Sequence, residues 1–254
     1  MVFPKSITTL LLASYCAINI GFSQNNSDVE KKDVSFSLFE RIRGETPRSV
    51  RKSLIKNAKK YDSYFFEKST QLPLNELKSA VILVDAQDYF FTYLDGVELA
   101  QEQQNQIEVL NYCKINNIPV VVLESKSFAT SKSWVFVNYG ETTDELKVHL
   151  DDLDNVTYIK KTHSDGFNST DLSDVLSELE VNSLYLMGVN ASDCVFRTAL
   201  SGMKQGYKII VSKETMQDSK RRLFRYLDES ISFYEQFAVH ETDFRNVFNY
   251  LSYE

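Results

Sequence analysis

Histidine is nearly missing from this chain: His149, His163 and His240 are the only three in 254 residues, scattered without metal-ligand spacing. Cysteine is equally scarce, at Cys16, Cys113 and Cys194, too few for a disulfide framework, so stability must come from a packed core. Eight glycines and four prolines exclude a loop-rich or low-complexity chain. Positive charge is in deficit as well. With 28 Lys and Arg against 35 Asp and Glu, the formal charge of −7 offers no basic face to nucleic acid. No internal repeat is visible. What remains is an ordinary globular composition, long enough for one substantial α/β domain with an extension.

The first residues, MVFPKSITTLLLASYCAINIGFSQNN, hold one lysine, a charge-free run from Ser6 to Phe22, and then polar residues. This layout predicts a secretory signal peptide over 1–23, giving a secreted or periplasmic mature chain that is not held in a membrane. A retained N-terminal anchor is the alternative, and the run is short for a span. Export leaves Cys113 and Cys194, which either pair with each other or include at least one free thiol. Residues 24–78 are polar and charged, and RKSLIKNAKKYDSYFFEKS is their one convincing helical stretch. They read as a partly helical extension that packs on the domain or a partner subunit, or else as a solvated arm.

The texture changes at residue 79, where a domain spanning 79–254 is expected to begin. Ala80–Val84, Ile118–Leu123, Val156–Ile159, Leu184–Met187 and Lys208–Val211 are short, almost wholly apolar or β-branched runs. Such runs suit strands buried on both faces, as in a parallel sheet. Helical patterns lie between them. Leu172, Val175, Leu176 and Leu179 follow one helix face, with Thr170 or Asp171 able to cap it. Ile107, Leu110 and Cys113 recur at threes, which reads Cys113 as a small core residue. The alternation predicts a doubly wound, mostly parallel α/β sheet with helices on both faces. The tail, from about Leu227 to Leu251, reads as one or two closing helices.

Ligands of open α/β sheets bind beyond the carboxyl ends of the strands, so the polar residues ending these runs are the candidates. The first run ends at Asp85, the third at Lys160-Lys161, and the fourth in GVNASDC, which carries Cys194. Singly these could be a capping aspartate, a surface lysine and a buried helix-start cysteine. On one rim they form a nucleophile with its activators. A cysteine at a helix N-terminus beside an ammonium is expected to favour thiolate, and a carboxylate can take the thiol proton. Val195, Ala199 and Gly202 form a slim face that lets this helix approach the sheet, and Gly206 is a natural stop.

Three blocks then carry a resemblance: VILVDAQDYFF, KTHSDGFNSTDL and GVNASDCVFRTALSGMKQGYKIIV. They are similar, in order, to the strand-ending D-x-Q-x-x-F, the lysine loop ending in T-D-L, and the G-V-x-x-x-x-C-V-x-x-T-A of the isochorismatase-like cysteine hydrolases. Nicotinamidases, carbamoylsarcosine amidases and ureidoacrylate hydrolases belong to that family. The resemblance covers about residues 79–215. It implies a catalytic triad of Asp85, Lys161 and Cys194, with Lys161 taken over Lys160 from its spacing to Thr170. It also implies an oxyanion hole of the Asn190 and Cys194 backbone N–H groups, and a cis peptide at Val189–Asn190. Substrate contacts are expected at Gln87, Phe90, Trp134 and Phe167, although core packing is an equal reading for Trp134.

Metal-binding nicotinamidases carry an aspartate and two histidines after the second strand, where this chain reads VVVLESKSFATSKSWVFVNYG. The expectation is therefore no metal, no cofactor and a substrate other than nicotinamide. The expected partner is a small molecule, and the resemblance implies a homo-oligomer. The function expected is cleavage of an amide-type C–N bond through a thioester. The alternatives are isochorismatase-type vinyl ether hydrolysis, or a binding or redox-sensing protein that keeps the fold and uses Cys194 without turnover.

Overall fold

The computed structural model describes residues 72–91, 96–129, 136–218, 234–235 and 238–253. The expected signal peptide, the extension up to residue 71 and Trp134 lie outside the described residues.

Six parallel strands form the main sheet: β1 Ser79–Val84, β2 Val120–Ser125, β5 Val156–Lys161, β6 Ser183–Val189, β7 Lys208–Gln217 and β8 Val239–Glu241, in the order β5-β2-β1-β6-β7-β8. Every residue of β1 and β6 is buried, as central strands covered on both faces require. A separate antiparallel pair, β3 Phe128–Ala129 with β4 Phe136–Val137, stands on its own.

The helices are α1 Asp88–Phe91, α2 Gly96–Asn116, α3 Asp144–Asp151, α4 Leu172–Glu178 and α5 Cys194–Lys204. Side chains alternate across a strand, so neighbouring residues report opposite faces. A Cβ on Gly202 of α5 would meet Leu184 and Ile209 at 3.3 and 3.0 Å, so α5 lies against the Leu184 face. The next residue, Tyr185, donates to or accepts from Thr215 Oγ1 at 2.6 Å, and Gln106 of α2 donates to the Thr215 carbonyl at 3.0 Å. Thus α2 covers the other face.

One expectation changes in part. From residue 238 onward the tail contributes β8, parallel to β7, and a 3₁₀ helix at Phe244–Asn249, where closing helices were read; residues 227–233 and 236–237 of that reading lie outside the described residues. Three residues are too short to show a strand period. Phe244 and Val247 nevertheless bury themselves, and the Phe244 N–H donates to Glu214 Oε2 at 3.0 Å. Residues 72–78, read as the end of the extension, are tied to the domain: the Lys78 N–H donates to Asn182 Oδ1, and Lys208 Nζ donates to the Leu72 carbonyl.

The buried face of α2 also differs from its apolar reading. Glu102, Asn105 and Gln106 are buried with Val109, Leu110 and Cys113. Both Cys113 and Cys194 are free thiols.

Candidate active site

The first four strands of the sheet order deliver the site from left to right: Lys161 ends β5, Ser125 ends β2, Asp85 follows β1, and the Asn190 turn follows β6. Asp85 takes a left-handed conformation, φ +50°, which aspartate tolerates better than bulkier residues. Its N–H bonds the Leu123 carbonyl, and the turned backbone leaves both carboxylate oxygens for the rim. Lys161 Nζ donates to Asp85 Oδ2 at 2.6 Å, and both side chains are fully out of solvent. The same Nζ donates to the His163 carbonyl at 3.2 Å and to Ser125 Oγ at 3.3 Å. An ammonium has three hydrogens, so all of them are used.

Register separates the two lysines. Lys160 pairs across the ladder with Glu124, and Lys161 with Ser125. Leu123 contacts the α5 side through the loop at Gly166, so Ser125, two residues on, shares that face, and Lys161 with it. Lys160 points to the other face, 2.6 Å from Glu124 Oε2, and Glu124 also accepts from the Thr142 N–H and hydroxyl.

Gly188 explains how β6 can end beside Asp85. At φ +113°, a Cβ there would stand 2.1 Å from the Val84 carbonyl oxygen, so only glycine allows the approach. The following Val189–Asn190 peptide is cis. The Asn190 carbonyl then accepts from the N–H groups of Asp193 and Val195, folding the turn back onto the start of α5. Cys194 is the first residue of α5, where backbone N–H groups have no partner within the helix. Thr198, one turn on, donates to the Cys194 carbonyl and accepts from the Gly166 N–H, fastening the loop after β5 to the helix.

The Cys194 thiol feels the charges of Lys161, Asp85 and Asp193. Burial pushes the thiol well above its ordinary range; Lys161 draws it back, while Asp85 and Asp193 push it further up. The expected shift toward thiolate is thus reversed: burial and the Asp85 and Asp193 carboxylates raise the thiol, and Lys161 opposes them. Burial also works against the Lys161 charge, but the Asp85 carboxylate beside it more than compensates, and the ammonium is held above the usual lysine range. The resting arrangement is a protonated thiol facing a carboxylate whose negative charge is matched by a buried cation.

The other sequence candidates have different surroundings. Gln87 spends both amide hydrogens on the carbonyls of Ser125 and Gly140 and accepts the Ser125 N–H, so it clamps β1 to β2 instead of facing a substrate. Phe90 stacks on Tyr139 at 5.1 Å in the core. Phe167 packs against Tyr207 and Gly202, eight residues along α5 from Cys194 and so about 12 Å away along the axis. These aromatic residues obey the motif spacing but serve packing. Sequence reading missed Ser125, because the run of apolar residues stops at Leu123 while the strand continues two residues further. It also missed the Asp193–Arg197 ion pair beside the nucleophile, which i, i+4 spacing on a helix could have disclosed. Among the described residues, no three His, Cys, Asp or Glu side chains group as a metal site.

Comparison with known proteins matches the Isochorismatase domain family to residues 79–227, more than half of the chain. The chain belongs to the isochorismatase family. Its fold is similar to that of a nicotinamidase, PncA, from Bacillus subtilis, with a TM-score of 0.56 and 20% identity over 65% of this chain and 100% of that one. It is also similar to N-carbamoylsarcosine amidase from Thermoplasma acidophilum, with a TM-score of 0.54 and 18% identity over 65% and 96%. In sequence, a Bacillus subtilis isochorismatase family protein is 37% identical over 62 residues, 24% of this chain, and the match spans about a third of that relative (34%). A secreted isochorismatase effector of Verticillium dahliae is 23% identical over 55% of this chain and 73% of its own length. Family and fold are those of the isochorismatase-like proteins.

Proposed function

We propose that this isochorismatase-like protein cleaves an amide-type C–N bond of a small molecule, with Cys194 as nucleophile and no metal. The observation carrying this reading is the Asp85 carboxylate, which accepts a hydrogen bond from the buried Lys161 ammonium and bears electrostatically on the Cys194 thiol. A protonated thiol is a poor nucleophile, so its proton must leave as the S–C bond forms, and Asp85 is the base in reach. The carbonyl oxygen becomes an oxyanion that the Asn190 and Cys194 N–H groups can receive. Asp85 then returns the proton to the departing nitrogen, leaving a thioester. Water attacks the thioester, giving its proton to Asp85, and the released thiolate recovers that proton. Lys161, with its three hydrogens engaged, acts as a fixed countercharge throughout.

The N-terminal pattern supports a mature form outside the cytoplasm, and one relative is described as secreted. The test of function is a screen of small amides, ureas and carbamoyl compounds for ammonia or amine release, run beside Cys194→Ala. Release by the parent protein alone, with an acyl adduct on the Cys194 peptide, is the expected result. Full turnover by Cys194→Ala would remove the thioester route, and no release from any amide by the parent protein would favour vinyl ether chemistry.

A further inference from the structure

We infer that Ser125 is a positioning residue of this site: its hydroxyl holds Asp85 in place to receive the Cys194 proton and ties Lys161 down as a countercharge. The inference rests on the cysteine-hydrolase reading above and assigns a task to a residue that the motif blocks do not contain.

The direction of each hydrogen bond around Ser125 is forced. An ammonium can only donate, so Ser125 Oγ accepts from Lys161 Nζ at 3.3 Å. The single hydroxyl hydrogen is then left for Asp85 Oδ1, 2.9 Å away. Lys161 closes the ring by donating to the other carboxylate oxygen, Oδ2. Each oxygen of Asp85 therefore has its own donor, and rotation of the carboxylate would break one bond or the other.

Ser125 is itself fixed by its backbone. Its N–H donates to Gln87 Oε1 at 2.7 Å, and its carbonyl accepts from Gln87 Nε2 at 3.1 Å. Gln87 lies two residues beyond Asp85, so backbone and side chain of Ser125 both grip the exit of β1. On its other side Ser125 is in register with Lys161, and the Lys126 N–H donates to the Lys161 carbonyl at 2.8 Å. Asp85 and Lys161 sit at the ends of strands two apart in the sheet, and Ser125 ends the strand between them.

The charged groups facing the thiol are Asp85 from the end of β1, Lys161 from β5, and Asp193 and Arg197 at the start of α5. Ser125 acts on only the first two. Removing its hydroxyl strips a donor from Asp85, so that more of its negative charge bears on the thiol, which then holds its proton more tightly.

The experiment is alkylation of the folded protein with iodoacetamide over the neutral to alkaline range, with the Cys194 peptide followed by mass spectrometry. Ser125→Ala should move the onset to higher pH by about one unit, a roughly tenfold slower reaction at a fixed pH below the onset. It should lower kcat by about tenfold or more with little change in KM, and Ser125→Thr should restore both. In an Asp85→Asn background, Ser125→Ala should leave the onset where it is. An onset that stays put or falls in Ser125→Ala overturns the inference, as does a shift that threonine fails to reverse or that persists without Asp85. Failure of the hydrolase reading is seen separately, as absence of amine release by the parent protein, and the alkylation comparison keeps its value in that case.

Discussion

Lys161 Nζ lies 2.6 Å from Asp85 Oδ2 with neither side chain exposed to solvent. A buried pair of this kind contributes little net stability over an apolar pair, but removing one partner strands the other charge. Lys161→Met should therefore destabilise the protein by about 3–5 kcal/mol, and Asp85→Asn/Lys161→Met by less than the sum of the two single changes. Urea denaturation of the four proteins measures the coupling. Additive losses would mean that the two groups do not share one buried environment.

The thiol should be slow to react at neutral pH. With burial and two carboxylates holding its proton, Cys194 should alkylate only as pH rises past the ordinary thiol range of about 8.5. Cys113 should stay unlabelled while the protein is folded, because it is fully buried in α2 and burial raises its thiol too. Labelling of Cys194 that is complete well below neutral pH would show a resting thiolate and remove the need for Asp85 as base.

Asp85→Asn should cost about 10²–10⁴ in kcat, and Cys194→Ala should abolish turnover with the fold intact. The two losses should not multiply, since both residues serve one step. Steady-state kinetics of the two single variants and the double variant would check this.

Glu102 predicts a pH dependence of stability. Burial pushes its carboxyl well above the usual range, while the hydrogen bond from Gln106 opposes the shift. The folded form thus keeps a proton that the unfolded chain gives up from about pH 4.3 upward. That contribution to stability is complete below this pH and is lost as pH rises through the folded value. Glu102→Gln should flatten the slope and raise the melting temperature at alkaline pH relative to the parent. Parallel slopes for the two proteins in thermal melts would place the dependence elsewhere.

A chelator should leave activity intact, because residues 120–140 contain no histidine. Activity lost on dialysis against a chelator and regained with zinc would overturn the metal-free mechanism.

Much of this was legible in the sequence. The apolar runs located five of the six strands of the main sheet, because buried parallel strands have few polar residues to obscure them. The resemblance implied Lys161 over Lys160, and in the structure Lys161 meets Asp85 while Lys160 meets Glu124, because adjacent strand residues face opposite ways. The charge state of Cys194 could not be read, because it depends on how completely the thiol is desolvated and on Asp193, whose influence is set by distance. The polar face of α2 was hidden for a related reason. Burial of the polar residues Asn105 and Gln106 makes sense only once the carbonyls of Glu214 and Thr215 are seen to meet them. β8 is shorter than any period a sequence can display.

Among the described residues β5 is the outermost strand of its edge of the sheet, with a ladder to β2 alone. The countercharge of the site therefore rides on a segment with half the cross-strand support of β1. Edges open in local fluctuations that cost less than global unfolding. Heating or mild denaturant should release Lys161 from Asp85 while β1, β6 and α5 are still in place. Catalysis would then fail before circular dichroism registers any loss of structure, and amide exchange along Val156–Lys161 would mark where the failure begins.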